Sequence, residues 1–352
     1  MSPFTTALLA WYATHHRPMP WKGERDPYLI WLSEIVLQQT RVAQGLPYFE
    51  RLRAAYPDVR ALAAAPEDEL MKNWEGLGYY SRARNLQAAA RHIAHERGGQ
   101  FPTTHAGILA LKGVGPYTAA AIASFAYGLP HAVVDGNVYR VLSRVFGIAT
   151  PIDSTAGKKE FAALAHEQLD TADPGRYNQA IMDFGATVCT PKRPACPVCP
   201  MRGFCVALRE GRVAELPVKA KKTKVRTRYF HYLVLRHRGQ VVVRKRPAGD
   251  IWQALFEFPL VETDTPDAPA GSVLARADYL PPAGYTLVRQ RGPFRQTLSH
   301  QRIVGTFYEL DLQHRPETLP AGLHWIPVDT LRDHAFPKLV DRYLRDRAPT
   351  LF

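Results

Sequence analysis

Four cysteines lie close together in the chain and could hold one metal centre. Cys189, Cys196, Cys199 and Cys205 follow the spacing C-x6-C-x2-C-x5-C and are the only cysteines among the 352 residues. Four thiolates can bind a tetrahedral zinc ion or a cubane iron–sulfur cluster. A zinc ribbon usually contains two short C-x2-C pairs, whereas this segment contains one. The spacing therefore favours an iron–sulfur cluster.

A glutamate lies in a strongly apolar stretch near the start of the chain. Glu34 belongs to the run WLSEIVLQQTR, residues 31–41, and helical periodicity surrounds it with apolar side chains. Such surroundings raise the pKa of a carboxyl group, which can then act as a general acid near neutral pH. The alternative is a surface glutamate paired at helical spacing with Gln38 or Arg41.

A turn rich in glycine and proline separates two helical segments. Gly113 and Gly115 precede Pro116 in LKGVGPYTA, so the backbone turns tightly and exposes N–H groups where a phosphate can bind. Farther along the chain, Asp135 opens the periodic run Val138–Phe146. By residue type it is a helix N-cap, and the helix N-terminus would help to keep its carboxylate ionised.

A second turn combines glycines with aromatic residues. Residues 74–82, WEGLGYYSR, follow a helical run, and we call them the wedge turn. Side chains of such a turn can insert into a duplex, which would kink it and extrude a base. The alternative is a helix connector with core tyrosines.

These segments require a helical domain that positions them. Up to about residue 208 the chain is rich in alanine and leucine at helical spacing, with frequent proline and glycine breaks. Residues 217–228 then carry six lysines and arginines and no acid, which indicates a basic linker, either a solvated tether or a phosphate contact. Beyond it, strand patterns predict a hairpin from Tyr229–Leu235 and Val241–Arg244. A further strand is predicted at Arg302–Leu310 and a helix at Lys338–Arg345.

The sequence thus predicts an α + β multidomain protein. Its parts are an all-α domain over residues 1–216, the linker over 217–228 and an α+β domain over 229–352. A formal net charge of +13 is typical of proteins that bind nucleic acid. No apolar run approaches the roughly 18 residues of a membrane helix, and the start lacks a signal-peptide pattern. We therefore expect no membrane association and a cytoplasmic, nucleoid-associated location.

The cysteine spacing and the hairpin followed by an aspartate resemble the endonuclease III superfamily of helix-hairpin-helix DNA glycosylases. The resemblance implies that the four cysteines hold a [4Fe–4S] cluster with a structural and electron-buffering role. It also implies that Asp135 stabilises the oxocarbenium-like transition state of N-glycosidic cleavage. Lys192, Arg193 and Arg202 in the cysteine loop could contact phosphate.

The run S-E-x-x-L-Q-Q-T-R-V resembles the adenine DNA glycosylase (MutY) family within that superfamily. The resemblance implies that Glu34 protonates N7 of a flipped adenine, which makes the base a leaving group. It further implies that Arg17 contacts the adenine, and that Asn137 and Tyr117 hold the sugar and the acid. On the duplex, Gln39 would enter the base stack, Tyr79 would intercalate, and Leu77 would lie near the opposite strand.

Tyr117 discriminates between two reaction types. Bifunctional endonuclease III-like enzymes carry a lysine at this point of the hairpin, and its amine forms a Schiff base that permits strand cleavage. A tyrosine cannot form that intermediate. We therefore expect a monofunctional glycosylase with water as the final nucleophile.

The second domain resembles the Nudix-like C-terminal domain of the same family, through RKRP at residues 244–247 and WQALFEFP at 252–259. The next stretch lacks the R-E-x-x-E-E pattern of Nudix hydrolases, although it contains Glu262, Asp264, Asp267 and Asp278, so we expect binding without hydrolysis. In the family a Phe-Ser-His turn recognises 8-oxoguanine. Here Ser299 and His300 are present, but Leu298 replaces the aromatic residue.

The combined expectation is a monomeric glycosylase that acts on double-stranded DNA containing an A:8-oxoguanine or A:G mispair. One alternative is an endonuclease III-like glycosylase/lyase for oxidised pyrimidines. The other is a zinc-stapled DNA-binding protein without catalytic activity.

Overall fold

The computed structural model describes residues 1–220, 225–266, 268–280 and 283–346. Contacts divide the described chain into two compact units. The helical unit comprises residues 1–64 and 85–222, and the strand unit comprises 65–84 and 223–352, in each case as far as they are described. The domain boundaries at 216/217 and 228/229 remain predictions. The packing adds a feature absent from them, because Ala65–Arg84 packs with the strand unit.

The helices account for most of the first two hundred residues. Within the described chain the α-helices are α1 (Pro3–His15), α2 (Pro27–Leu37), α3 (Val42–Ala55), α4 (Val59–Ala64), α5 (Glu67–Asn73), α6 (Ser81–Glu96), α7 (His105–Leu109), α8 (Pro116–Tyr127), α9 (Gly136–Phe146), α10 (Thr155–Gln168), α11 (Pro174–Thr187), α12 (Val206–Arg209), α13 (Ala270–Leu274) and α14 (Lys338–Asp346). Short 3-10 helices lie at Cys196–Val198 and Val328–Asp333. In the described chain, no helix is both long and apolar enough to cross a membrane.

The helix boundaries follow from local sequence. The side chain of Asp26 caps α2 by accepting from the backbone N–H of Tyr28, and Pro27 occupies the first turn. The body of α2 is buried on every side, so this helix forms part of the core. Helix α8 also begins at a proline, and it is capped at its C-terminus by Gly128, whose φ of 65° is left-handed.

Helices α7 and α8 form the predicted hairpin. Its turn passes through Gly113 at a φ of 81°, and a Cβ atom there would lie 2.6 Å from Cβ of Asn85. Only glycine satisfies both conditions, because the backbone conformation and the packing each exclude a side chain. The turn delivers Tyr117 into the first turn of α8.

The strand unit contains a mixed sheet. Its described strands are β1 (Arg226–His237), β2 (Gln240–Lys245), β3 (Phe256–Glu257), β4 (Leu260–Thr263), β5 (Tyr285–Thr297), β6 (Gln301–Leu312) and β7 (Leu323–Pro327). The sheet order is β3-β2-β1-β6-β5, with β4 paired to β1 and β7 to β2. Strands β1 and β6 are parallel, whereas β1 and β2 form the predicted antiparallel hairpin.

Helix α14 packs against one face of this sheet. The Tyr343 ring stacks on Phe307 with centroids 4.0 Å apart, and Leu339 lies so close to Gly305 that a Cβ there would come within 2.6 Å. The helical first part and the mixed-sheet second part confirm the predicted fold class. Lys221, Lys222 and Lys224 of the basic linker and Asp267 lie outside the described residues.

Candidate active site

A pocket in the helical unit brings together six residues predicted from the sequence. It encloses about 430 Å³ and is bordered by the end of α2 and the beginnings of α8 and α9. The predicted residues that line it are Arg17, Glu34, Gln39, Tyr117, Asp135 and Asn137. Several polar groups therefore converge on a space suited to a small planar ligand.

Glu34 is a buried carboxyl group in the wall of the pocket. Only 8% of the residue is exposed, and burial raises the pKa of its carboxyl group to about 7. A hydrogen bond with Tyr117 opposes this rise, and the negative charge of Asp135 adds to it. The predicted apolar environment is present, and Glu34 can carry a proton at neutral pH.

Tyr117 connects Glu34 to the side of the pocket formed by α11. Its hydroxyl lies 3.3 Å from Sδ of Met182, to which it can donate. A carboxylate is a much stronger acceptor than a thioether, so ionised Glu34 would take this hydrogen bond. Tyr117 can therefore stabilise Glu34 after it has lost its proton.

Asp135 is the N-cap of α9, as its residue type predicts. Its Oδ1 accepts from the backbone N–H groups of Asn137 and Val138, both at 2.8 Å, and Oδ2 accepts from Nδ2 of Asn137 at 2.8 Å. These bonds lower the pKa of Asp135, but burial outweighs them and the net shift is upward. The expectation that the helix terminus keeps this carboxylate ionised is thus opposed by desolvation.

Arg140 holds Asn137 in place, a role that sequence reasoning missed. Its guanidinium donates to Oδ1 of Asn137 at 2.8 Å and to the carbonyl groups of Gly185 and Cys189, both at 2.6 Å. Asn137 must therefore direct its amide nitrogen at Asp135. The available signal was an arginine one helical turn after Asn137, on the same face of α9 as Arg144.

Asp183 was also missed, although it organises another side of the pocket. It is 1% exposed and accepts from Arg17 through the backbone N–H at 3.1 Å, Nε at 2.9 Å and Nη2 at 2.7 Å. Lys22 forms a further ion pair with it. One buried carboxylate thus neutralises and orients two cations, and its only sequence signal is an acid inside the apolar pattern of α11.

Two of the predicted DNA-inserting side chains occupy strained backbone positions. Gln39 has a φ of 55° and Tyr79 a φ of 49°, values that favour glycine, and both residues are exposed. Tyr79 is 44% exposed, whereas Leu77 in the same turn is 4% exposed. The structure therefore presents Gln39 and Tyr79 to solvent but places Leu77 in the core.

The strand unit contains a second pocket of about 340 Å³. Ser299 and His300 line it together with Tyr79 of the wedge turn, and Leu298 contributes an apolar wall. Oγ of Ser299 lies 3.2 Å from Nδ1 of His300, so the two side chains can share a hydrogen bond. Two features predicted separately thus border one space.

The four cysteines line one pocket of the helical unit, between α9, α11 and α12. Arg144 braces their loop by donating to the carbonyl groups of Thr190 and Pro191 at 2.8 and 3.1 Å and towards Sγ of Cys189 at 3.5 Å. Within the described chain, no three His, Cys, Asp or Glu side chains are arranged to hold a single metal ion. A cubane cluster takes four cysteine thiolates, and all four cysteines of this chain border the same pocket. The donor set fits such a cluster.

Comparison with known proteins first defines the class. Residues 32–166 match the family model of the HhH-GPD superfamily base excision DNA repair proteins, and residues 231–346 match the NUDIX domain. A solved thermostable thymine-DNA glycosylase is similar, with a TM-score of 0.55 and 31% identity over 59% of this chain and 95% of that chain. Endonuclease III in a trapped covalent complex with DNA has the same fold, with a TM-score of 0.52 and 22% identity over 60% of this chain and 99% of that chain.

Curated relatives then define the family. The adenine DNA glycosylase of Mus musculus is 33% identical over 93% of this chain and 74% of its own length, and that of Homo sapiens is 32% identical over 98% and 74%. The adenine DNA glycosylase of Buchnera aphidicola (Schizaphis graminum) is 34% identical over 74% of this chain and 75% of its own. The chain belongs to the adenine DNA glycosylase family and is a MutY-like DNA glycosylase.

Proposed function

We propose that this enzyme removes adenine mispaired with 8-oxoguanine, or with guanine, from duplex DNA and leaves an abasic site without cutting the strand. The observation that carries the proposal is the convergence of Glu34, Tyr117 and Asp135 in one pocket, with the pKa of Glu34 raised to about 7. The family relation supports adenine as the base.

The two carboxyl groups have different tasks in this reaction. Neutral Glu34 donates its proton to N7 of the flipped adenine, and the C1′–N9 electron pair leaves with the base. Ionised Asp135 stabilises the positive charge that develops at C1′. Water then adds to C1′ and gives up its proton to ionised Glu34, which restores the neutral acid. Asn137 orients Asp135, and Tyr117 supports ionised Glu34.

The residues around the pocket would hold the base and the duplex. Arg17 borders the space for the flipped adenine, and Gln39 projects from a strained, exposed position suited to the gap in the base stack. Gly113 and Gly115 present the hairpin backbone to a phosphate. Tyr79 would intercalate with Leu77 behind it, and Ser299 and His300 would read the base opposite adenine.

Cys189, Cys196, Cys199 and Cys205 would hold a [4Fe–4S] cluster. When bound, the cluster supplies structural cross-linking and electron buffering rather than hydrolytic chemistry. The loop around it carries Lys192, Arg193 and Arg202, which would bind phosphate. We further propose that the enzyme acts as a cytoplasmic monomer, since one asymmetric lesion needs one pocket.

The test compares two damaged duplexes in single-turnover reactions. One carries adenine opposite 8-oxoguanine and the other carries thymine glycol, and strand breaks are measured with and without alkali. We expect breaks only at adenine and only after alkali. Alkali-independent breaks at thymine glycol would instead identify an endonuclease III-like lyase. A protein that binds both duplexes and cuts neither after alkali would be a non-catalytic binder.

A further inference from the structure

Residues before and after Tyr79 attach the wedge turn to the rest of the strand unit through hydrogen bonds. Before it, Oε1 of Glu75 accepts from the backbone N–H of Phe336 at 2.8 Å. Phe336 is 2% exposed, so this N–H depends on Glu75 in place of water. Oε2 of Glu75 pairs with Lys72 at 2.6 Å, and Lys72 donates to the carbonyl of His334 at 3.1 Å.

A second contact with the strand unit is a hydrogen bond made by Arg84, which follows the turn. Nη1 of Arg84 donates to the carbonyl oxygen of Gln253 at 2.8 Å. Gln253 lies between Trp252 and Ala254, whose φ values of 61° and 68° are strained for residues with side chains. Arg246 holds this loop by donating to the carbonyl of Ile251 at 2.9 Å and pairing with Asp250 at 2.7 Å. Arg84 therefore binds a carbonyl whose position is set by the strand unit.

A third contact with the strand unit lies at the start of α5. Nζ of Lys245, at the end of β2, pairs with Oε2 of Glu67 at 2.8 Å and with Asp68. The ion pairs are partly exposed and weaker than a buried contact. They nevertheless add a third point at which the strand unit holds the segment Ala65–Arg84.

Hydrogen bonds within the wedge turn fix its conformation, so the position of its ends determines the position of Tyr79. Nε1 of Trp74 donates to the carbonyl of Gly78 at 3.0 Å, and Nη2 of Arg82 donates to the same oxygen at 3.1 Å. The backbone N–H of Gly76 donates to the hydroxyl of Tyr80 at 3.1 Å. Moving the ends of the turn would therefore move Tyr79.

We propose that Glu75 and Arg84 are positioning residues through which the strand unit sets the wedge. The inference rests on the proposed function. Tyr79 borders the same pocket as Ser299 and His300, so insertion of the wedge and reading of the opposite base occur on one packed unit. The base opposite adenine thus affects base flipping in two ways. It contributes its own binding energy, and it acts through the position of Tyr79, which the strand unit sets.

The test uses the full-length enzyme and the variants Glu75→Ala and Arg84→Ala. Adenine release is measured in single turnover, with adenine opposite 8-oxoguanine and opposite an abasic-site analogue, which presents no base to read. We expect each variant to slow release opposite 8-oxoguanine by about tenfold, the factor expected for loss of one partly buried hydrogen bond. Release opposite the analogue should stay within about twofold, because the pocket around Glu34 is unchanged.

A fluorescence measurement separates flipping from chemistry. With 2-aminopurine beside the adenine, Glu75→Ala should reduce the unstacking signal opposite 8-oxoguanine. The conservative variant Glu75→Gln keeps an acceptor for Phe336 and should recover most of that signal. Arg345→Ala, which breaks a surface ion pair of α14 with Asp341, is the matched control and should behave as wild type.

A charge reversal provides an independent check that does not create a cavity. Lys245→Glu places three carboxylates together and should lower the 8-oxoguanine rate selectively. Adding Glu67→Lys and Asp68→Lys to Lys245→Glu should restore the rate of adenine release opposite 8-oxoguanine. In the wild-type background, the same two changes should not raise this rate.

Arg84 also borders the pocket with Ser299 and His300, so the Glu75 variants decide the positioning role. Equal losses on both duplexes would show that Glu75 and Arg84 act only through stability, and unchanged rates would show that the wedge is not set by these contacts; either result overturns the inference. If wild type releases no adenine from either duplex, the proposed function itself has failed.

Discussion

Glu34 is the residue at which burial and charge determine the chemistry. Its neighbours on α2 are buried, and removal of water disfavours the carboxylate more than Tyr117 can favour it. Asp183, by contrast, is more deeply buried yet surrounded by Arg17 and Lys22. We therefore infer a proton donor at Glu34, whereas Asp183 is a counter-ion for Arg17 and Lys22.

The pH dependence of base release tests the role of Glu34. Because the neutral acid is required and burial raises its pKa to about 7, the rate at saturating enzyme should fall as pH rises through about 7. Glu34→Gln should lower the rate by about 10² or more at pH 6, where wild-type Glu34 is neutral, while retaining DNA binding. A wild-type rate that stays level above this range, or a fully active Gln variant, would contradict the assignment.

The same shift predicts an effect on stability. The pKa of Glu34 is higher in the folded protein than the ordinary 4.5, so its contribution to stability is complete below pH 4.5 and is lost as pH rises to about 7. Glu34→Gln should therefore be more stable than wild type at pH 8, by up to about 3 kcal/mol. Thermal melts of both proteins at pH 4 and 8 measure the difference, which should nearly vanish at pH 4.

Tyr117 is the residue proposed to set the reaction type. Tyr117→Lys should introduce an amine that attacks C1′, so that borohydride traps a covalent complex with DNA. Lys22 borders the same pocket, and a Tyr117→Lys/Lys22→Arg variant assigns the trapped amine to position 117. Absence of any additional trapped complex would count against the position assigned to Tyr117.

At the scale of elements, the beginning of α9 is both a helix cap and part of the pocket wall. Asp135 caps the helix, and the same two N–H bonds aim its carboxylate into the pocket. The cap and the anion are separable because asparagine caps a helix about as well as aspartate does. This permits a test of each role.

Asp135→Asn should keep the fold and remove the negative charge. We expect a change in unfolding free energy below about 1 kcal/mol and a loss of base release of about 10² or more. Asp135→Ala should lose both the cap and the activity. Thermal melts combined with single-turnover rates measure the two effects, and a fully active Asn variant would leave Asp135 with only a capping role.

At the scale of the whole molecule, a net charge of +13 implies binding driven by counter-ion release. The Kd for undamaged duplex should rise steeply with salt, by about 10³-fold between about 50 and 200 mM for six phosphate contacts. Arg202→Ala should reduce the slope of log K against log salt by about 1 if that side chain binds phosphate. Fluorescence anisotropy across a salt series measures both, and a salt-independent Kd would contradict this view.

Local patterns in the sequence were sufficient to predict the main parts of this protein. Helical periodicity and the glycine turn predicted the hairpin and the apolar surroundings of Glu34, and residue type predicted the cap at Asp135. The strand pattern predicted the hairpin of β1 and β2. Each depends on residues a few positions apart, whose backbone geometry follows from their own side chains.

Only the tertiary structure decided the contacts that complete the site. Asp183 meets Arg17 across 166 positions, and Glu75 meets Phe336 across 261. No short-range period carries such pairings, because they arise when packed helices and strands exclude water and each buried polar group must find a partner. Packing also placed Leu77 in the core. It joined the wedge turn to the strand unit, although the domain boundaries predicted from the sequence had assigned this turn to the first domain.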